Sequence, residues 1–119
     1  MTPAEIMRTL QDKNRQLTDK NQELVICTEE AAECKRDYLI AMASKTMLLK
    51  MEGMSVTLIP SLVKGDKVVA DLQFKWDVAE GVLLACRERI KDLRESIGSA
   101  RSILTWLRTE LELTPSQEV

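Results

Sequence analysis

A chain of 119 residues with 45% apolar and 30% charged residues fits one domain or one protomer of an assembly, and its composition is that of neither a disordered nor a membrane-spanning protein. The net charge of −2 gives no overall basic character of the kind that advertises nucleic acid. Histidine is absent, which removes the commonest general base and metal ligand together.

Thr2-Pro3-Ala4-Glu5 reads as a helix start. Thr2 can cap, Pro3 suits the first helical position, and Glu5 stands where a capping box places its carboxylate. No glycine follows until Gly53 and no proline until Pro60, so one long helix is predicted over about residues 3–52. Asp12 to Val25 contains nearly the same seven residues twice, as in a helix that keeps one edge against another. Leu10, Leu17, Leu24, Ala31 and Tyr38 recur every seventh residue in d-type positions. Their companions read first as Met7, Asn14, Asn21 and Thr28, then as Cys27, Cys34, Ala41 and Leu48, a drift of the stutter type. A seam asparagine lowers stability but fixes register and partner number; the alternative is an asparagine tolerated on a frayed, wet end.

The connector, Gly53 to Gly65, is apolar for a loop, with Val56, Leu58, Ile59, Leu62 and Val63. Ser55 to Ile59 reads as extended, and Pro60 to Lys64 as one helical turn closed by Gly65, the whole folding against the hairpin's end or a neighbouring chain. Asp66 is a candidate N-cap for a second long helix over about 66–113. Its seam, Val69, Leu72, Trp76, Ala79, Leu83, Cys86, Ile90, Leu93, Ile97, Ala100, Leu104, Leu107 and Leu111, alternates threes and fours throughout. Thr114-Pro115-Ser116 should stop it and leave a short tail, 114–119. The expected fold class is all-α: a single antiparallel helical hairpin, a coiled coil with an apolar connector, assembling into a helical bundle. In a hairpin centred near residue 59, Asn14 and Asn21 would face Ala100 to Ile97.

Apolar residues are left over once each helix has buried one stripe. Leu39, Ile40, Met42, Met47, Met51, Phe74, Val78, Val82, Ile103 and Trp106 are therefore candidates for an oligomer interface, since monomers seldom expose patches of that size. The methionines near the turn fit either an adaptable partner surface or the core of an oligomer. Arg87, Arg94, Arg101 and Arg108 recur every seven residues beside the second seam, about 10.5 Å apart along a helix. They read first as interhelical partners, Arg94 opposite Glu23 and Arg87 opposite Glu29 and Glu30. The alternative is a stripe that tracks nucleic-acid phosphates.

Cys27, Cys34 and Cys86 lie on inward stripes and read as small hydrophobes, without the CxxC spacing of a zinc site. No catalytic triad, redox pair, phosphate loop or cofactor fingerprint is present, so neither an enzyme nor a cofactor is expected. The start of the chain leads straight into a charged amphipathic segment, which with the three thiols predicts a reducing cytoplasm and no membrane association.

Two resemblances add to this reading. Met51-Glu52-Gly53-Met54-Ser55-Val56-Thr57-Leu58-Ile59-Pro60, with Lys64-Gly65-Asp66 and Ala70-Asp71-Leu72-Gln73-Phe74-Lys75, resembles small helical proteins encoded by bacteriophages and prophages among early replication and recombination genes. That likeness implies an accessory role in the host cytoplasm and assigns no functional residue. The pairing of two coiled-coil helices across an apolar connector resembles the beta-type prefoldin subunit, which implies a holdase chaperone. The expected function is a non-catalytic interaction or assembly protein, with direct nucleic-acid binding through the Arg row and a prefoldin-like holdase as alternatives.

Overall fold

The computed structural model describes residues 2–113. Three helices follow one another: α1 (Pro3–Met51), α2 (Ile59–Gly65) and α3 (Lys67–Leu113). The fold is an all-α helical hairpin, and its α1 and α3 pack antiparallel. Among the described residues there is no strand, and no helix is long and apolar enough to cross a membrane. The expected stop at Thr114-Pro115-Ser116 lies outside the described residues.

The start of α1 is a complete capping box. The Glu5 amide donates to Thr2 Oγ1 at 3.2 Å while the Thr2 amide donates to Glu5 Oε2 at 3.1 Å, satisfying two groups that the helix itself cannot pair. Its end is a Schellman motif. The Gly53 amide reaches the Lys50 carbonyl at 3.1 Å and the Met54 amide reaches the Leu49 carbonyl at 3.0 Å, with Gly53 at φ +79°, where a side chain would be strained. Asp66 caps α3 as expected, Oδ2 accepting the Val69 amide at 3.2 Å. Its Oδ1 lies 3.6 Å from Lys45 Nζ on α1, so one carboxylate both starts α3 and ties it to α1.

The connector departs from its expected form. Ser55 to Ile59 is not extended, because the Ser55 carbonyl accepts from both Leu58 and Ile59 and turns the chain into α2. Pro60 sits in the first turn of that helix, where its missing N–H is no loss. The apolar content has the predicted use in part: Ile59 and Val63 are buried with Leu49 and Val69, and Tyr38, Ala41 and Met42 pack around them.

The chain divides into two compact units. One joins Met1–Glu23 to Arg87–Val119, and its core is Ile6, Leu10, Ile97, Ala100 and Leu104, with Leu17 and Leu107 against it. The other, Leu24–Cys86, contains the connector cluster and an aromatic pair, Tyr38 and Trp76, with ring centroids 5.4 Å apart. A tilted contact of that kind adds about 1 kcal/mol to burial alone.

The seam of α3 is as predicted from Val69 to Leu107, whereas Leu111 is exposed. The seam of α1 needs correction. Its companion row is Ile6, Lys13, Lys20, Cys27, Cys34 and Ala41, all buried or half-buried, and Met7, Asn14, Asn21 and Thr28 are exposed. No stutter therefore occurs before Ala41. The row shifts only near its end, where Leu49 is buried and Leu48 is not. Lysine can occupy a seam because its four-carbon stem packs while the ammonium reaches water; Lys20 Nζ is held by Glu23 at 2.8 Å. The register also differs. Gln16 meets Arg89 across the terminal unit, which centres the pair near Glu52, not Ile59. Asn14 and Asn21 thus fix no register from inside the seam.

Two substitutions separate the corrected seam from the expected one. Lys13→Leu should raise stability by roughly 1 kcal/mol through added buried area, while Asn14→Leu should change it by less than about 0.5 kcal/mol. Urea unfolding followed by circular dichroism measures both; the reverse order would restore Asn14 to the seam. Asp66→Ala should cost about 1 kcal/mol through the lost cap, with Asp66→Asn recovering most of it.

Candidate functional site

Two surfaces concentrate what the hairpin leaves unused. In the unit Leu24–Cys86, apolar side chains face outward on both long helices. Phe74 is 68% exposed, and Val78 and Val82 stand one and two turns further along α3, each about half-exposed. With Cys34, Ala79, Glu30 and Lys75 they line a groove of about 280 Å³. Leu39, Ile40, Met47 and Met51 of α1 are exposed as well, Met51 to 80%. Met42 is half-buried against the connector cluster, so it contributes to the core of this unit. Ile103 and Trp106 belong to the terminal unit.

Gly81 falls inside the Phe74–Val82 stretch and is exposed. A Cβ built there meets nothing within 4 Å, so nothing in this chain requires a glycine. Mid-helix glycine is less favourable than alanine by about 1 kcal/mol. Its physical use is to let another backbone approach closely.

The second surface lies on the terminal unit. Arg87, Arg94, Arg101 and Arg108 are all exposed, and among the described residues none forms an ion pair with an acid. The expected partnership fails in the terminal unit because Glu23 stands on the other flank, where it holds Lys20. In an antiparallel pair each flank of one helix lies beside the equivalent flank of the other. The Arg89–Gln16 contact of 3.4 Å marks the flank that also bears Thr9, Ser96 and Ile103, which line a groove of about 510 Å³ with Lys13, Asp92 and Glu95. The arginine row is on the opposite side, beside Met7, Asn14 and Asn21. Lys91 falls in the same row, a residue that a search for strict seven-residue spacing passes over.

The thiols are placed as expected for small hydrophobes: Cys27 and Cys86 are buried and Cys34 is half-buried. Among the described residues no three Cys, Asp or Glu side chains come together as a metal site. Compared with known proteins, the chain matches no family model, no curated protein and no solved structure.

Thiol chemistry checks the packing of this unit. In the Phe74→Asp, Val78→Asp variant, whose groove is open, Cys34 should react with a disulfide reagent at least tenfold faster than Cys27 and Cys86, resolved by mass spectrometry of the labelled peptides. Equal rates at all three would contradict the burial pattern.

Proposed function

We propose that the protein is a non-catalytic assembly module that associates with copies of itself through the apolar surface of the unit Leu24–Cys86. The observation that carries this reading is the surface left after folding. Within that unit Phe74, Val78 and Val82 stand at successive turns of α3, each half or more exposed, and exposed apolar patches of this kind mark contact sites.

A second copy suits the surface for two reasons. Gly81 gives a neighbouring helix room to approach beside Val82, at one end of the exposed stripe. Glu30 and Lys75 stand on the same groove, so its rim carries both signs of charge, as a surface that meets its own copy must if like charges are not to face each other. Lateral association of two hairpins yields a four-helix arrangement, the usual way for such a pair to bury a second stripe.

Light scattering at micromolar concentration should return a dimer or a larger species, and a strict monomer would overturn the proposal. Phe74→Asp with Val78→Asp should give a monomer of unchanged helicity, because both side chains are exposed in the single chain. Gly81→Ala should act in opposite directions, stabilising the monomeric helix by up to about 1 kcal/mol while weakening association. Stronger association in that variant would remove the close approach.

A further inference from the structure

We propose that the flank of α3 bearing Arg87, Lys91, Arg94, Arg101 and Arg108 binds the phosphate backbone of single-stranded nucleic acid, with Trp106, round the helix from Arg101 across a shallow hollow, as a stacking platform for a base turned away from that backbone. The surface lies on the terminal unit and is argued from different observations than self-association. The row is straight and runs about 31 Å from Arg87 to Arg108 at 1.5 Å per residue. Between its cations stand Gly98 and Thr105, and at Gly98 a Cβ would meet nothing within 4 Å, so a phosphodiester chain can approach the helix closely.

Charge in this unit is sorted by flank. The acids of α1, Glu5, Asp12, Asp19 and Glu23, fall toward the side of Gln16. The side next to the arginine row carries Gln11, Asn14, Thr18 and Asn21, which are neutral and hydrogen-bonding. No acid falls on the line of the four arginines themselves, whereas Glu88 and Glu95 stand within one turn of Lys91 at the row's outer edge and Glu112 follows Arg108 by one turn. A net charge of −2 for the whole chain therefore conceals a local surface of five cations. Guanidinium groups suit phosphate because they donate in a planar fork.

The end of the row has the form of a nucleotide subsite. Arg101 and Trp106 stand on either side of a shallow hollow of about 490 Å³, with Ser102, Thr105 and Thr109 also lining it. Trp106 is 62% exposed, unusual for an indole with no packing role. The three hydroxyls donate to helix carbonyls one turn back, at 3.0 Å each. Their oxygens accordingly face the hollow as acceptors, suited to base or sugar donors, and phosphate recognition falls to Arg101. An aromatic platform beside a cationic track is the general arrangement for sequence-tolerant single-strand binding.

The same geometry disfavours other polyanions. A straight row cannot follow the spiralling backbones of a duplex over its whole length, whereas a flexible single strand can lie along it. An anionic membrane would require apolar residues interleaved with the cations, and here glycine and threonine stand between them on α3, with two amides and a single methionine, Met7, among the neighbours from α1.

The test uses the full chain and a labelled 20-nucleotide thymidine oligomer, read by fluorescence anisotropy. Saturable binding is expected at 50 mM salt, weakening on the order of 100-fold by 200 mM if five phosphates are neutralised. Lys91→Gln, Arg94→Gln and Arg101→Gln together should weaken binding at least tenfold. The triple variant Lys50→Gln, Lys64→Gln and Lys67→Gln removes the same charge from other exposed positions and should stay within twofold. Trp106→Leu should weaken binding about fivefold and abolish the quenching of tryptophan fluorescence by the oligomer. Should the row variant lose helicity, the salt dependence and Trp106 quenching of the wild type still decide. Absence of saturable binding at 50 mM salt, equal loss in the two triple variants, or tighter binding to a 20-base-pair duplex would each overturn the proposal. So would capture of phosphatidylserine vesicles without oligomer binding, or loss of self-association in the row variant without oligomer binding.

Discussion

A two-helix seam buries one stripe of each helix, and the rest of this molecule follows from that limit. Along α1 the stripe is Ile6, Leu10, Lys13, Leu17, Lys20, Leu24, Cys27, Ala31, Cys34, Tyr38 and Ala41; along α3 it is the unbroken threes and fours from Val69 to Leu107. A side chain outside those rows meets water unless something else covers it. In the unit Leu24–Cys86 the uncovered side chains are richer in apolar residues, and in the terminal unit they are mostly polar or charged. The two surfaces therefore present different chemistry, although the same pair of helices carries both.

The connector shows how a small unit supplements such a seam. Two helices alone leave the end of a hairpin open, and α2 closes it by placing Ile59 and Val63 on Leu49 and Val69. Each of the three helix boundaries there is set by a local device: the positive φ of Gly53, the carbonyl of Ser55 that turns the chain, and the carboxylate of Asp66. Such devices are each worth about 1 kcal/mol, a large part of the margin on which a two-helix domain rests. Their closeness in sequence means that the return path of the chain is specified locally, ahead of the long-range packing it permits.

Much of this was legible in the residues, and the errors have physical causes. The capping box at Thr2, the Asp66 cap and the entire α3 seam as far as Leu107 follow from spacing and side-chain chemistry. The α1 seam departs from the expected one because Lys13 and Lys20 look polar, so that the apolar pattern favours Met7, Asn14, Asn21 and Thr28 as companions. A binary apolar pattern cannot register a side chain that is apolar along its stem and charged at its tip. That single displacement also carried Arg94 toward Glu23, since shifting the seam exchanges what lies on each flank. Ser55 to Ile59 was read as extended from its β-branched residues, whereas backbone bonds to the Ser55 carbonyl override that propensity. The groove at Phe74 and the hollow at Trp106 have no sequence signature, because each depends on which neighbours the seam leaves facing out.

The sorting of charge by flank needs a physical account of its own. Helix-surface charges are commonly interspersed, because opposite signs three or four residues apart stabilise a helix by a few tenths of a kcal/mol per pair. Among the row's arginines only Arg108 has an acid at such a spacing, Glu112, and among the described residues the two form no ion pair. The repulsion among the four arginines is small, since they are about 10.5 Å apart, beyond the roughly 8 Å screening length of physiological salt; Lys91 alone stands within a turn of two of them, where Glu88 and Glu95 offset it. A row so spaced is inexpensive to maintain in the free protein. On the proposed reading, attraction for a polyanion laid along it would accumulate, because each released counterion adds to the affinity. The asparagines of the twice-repeated segment belong to that account, since on the row's own flank a neutral amide leaves the cations uncompensated and still offers hydrogen bonds. An acid at either position would have stabilised the isolated hairpin and weakened its field.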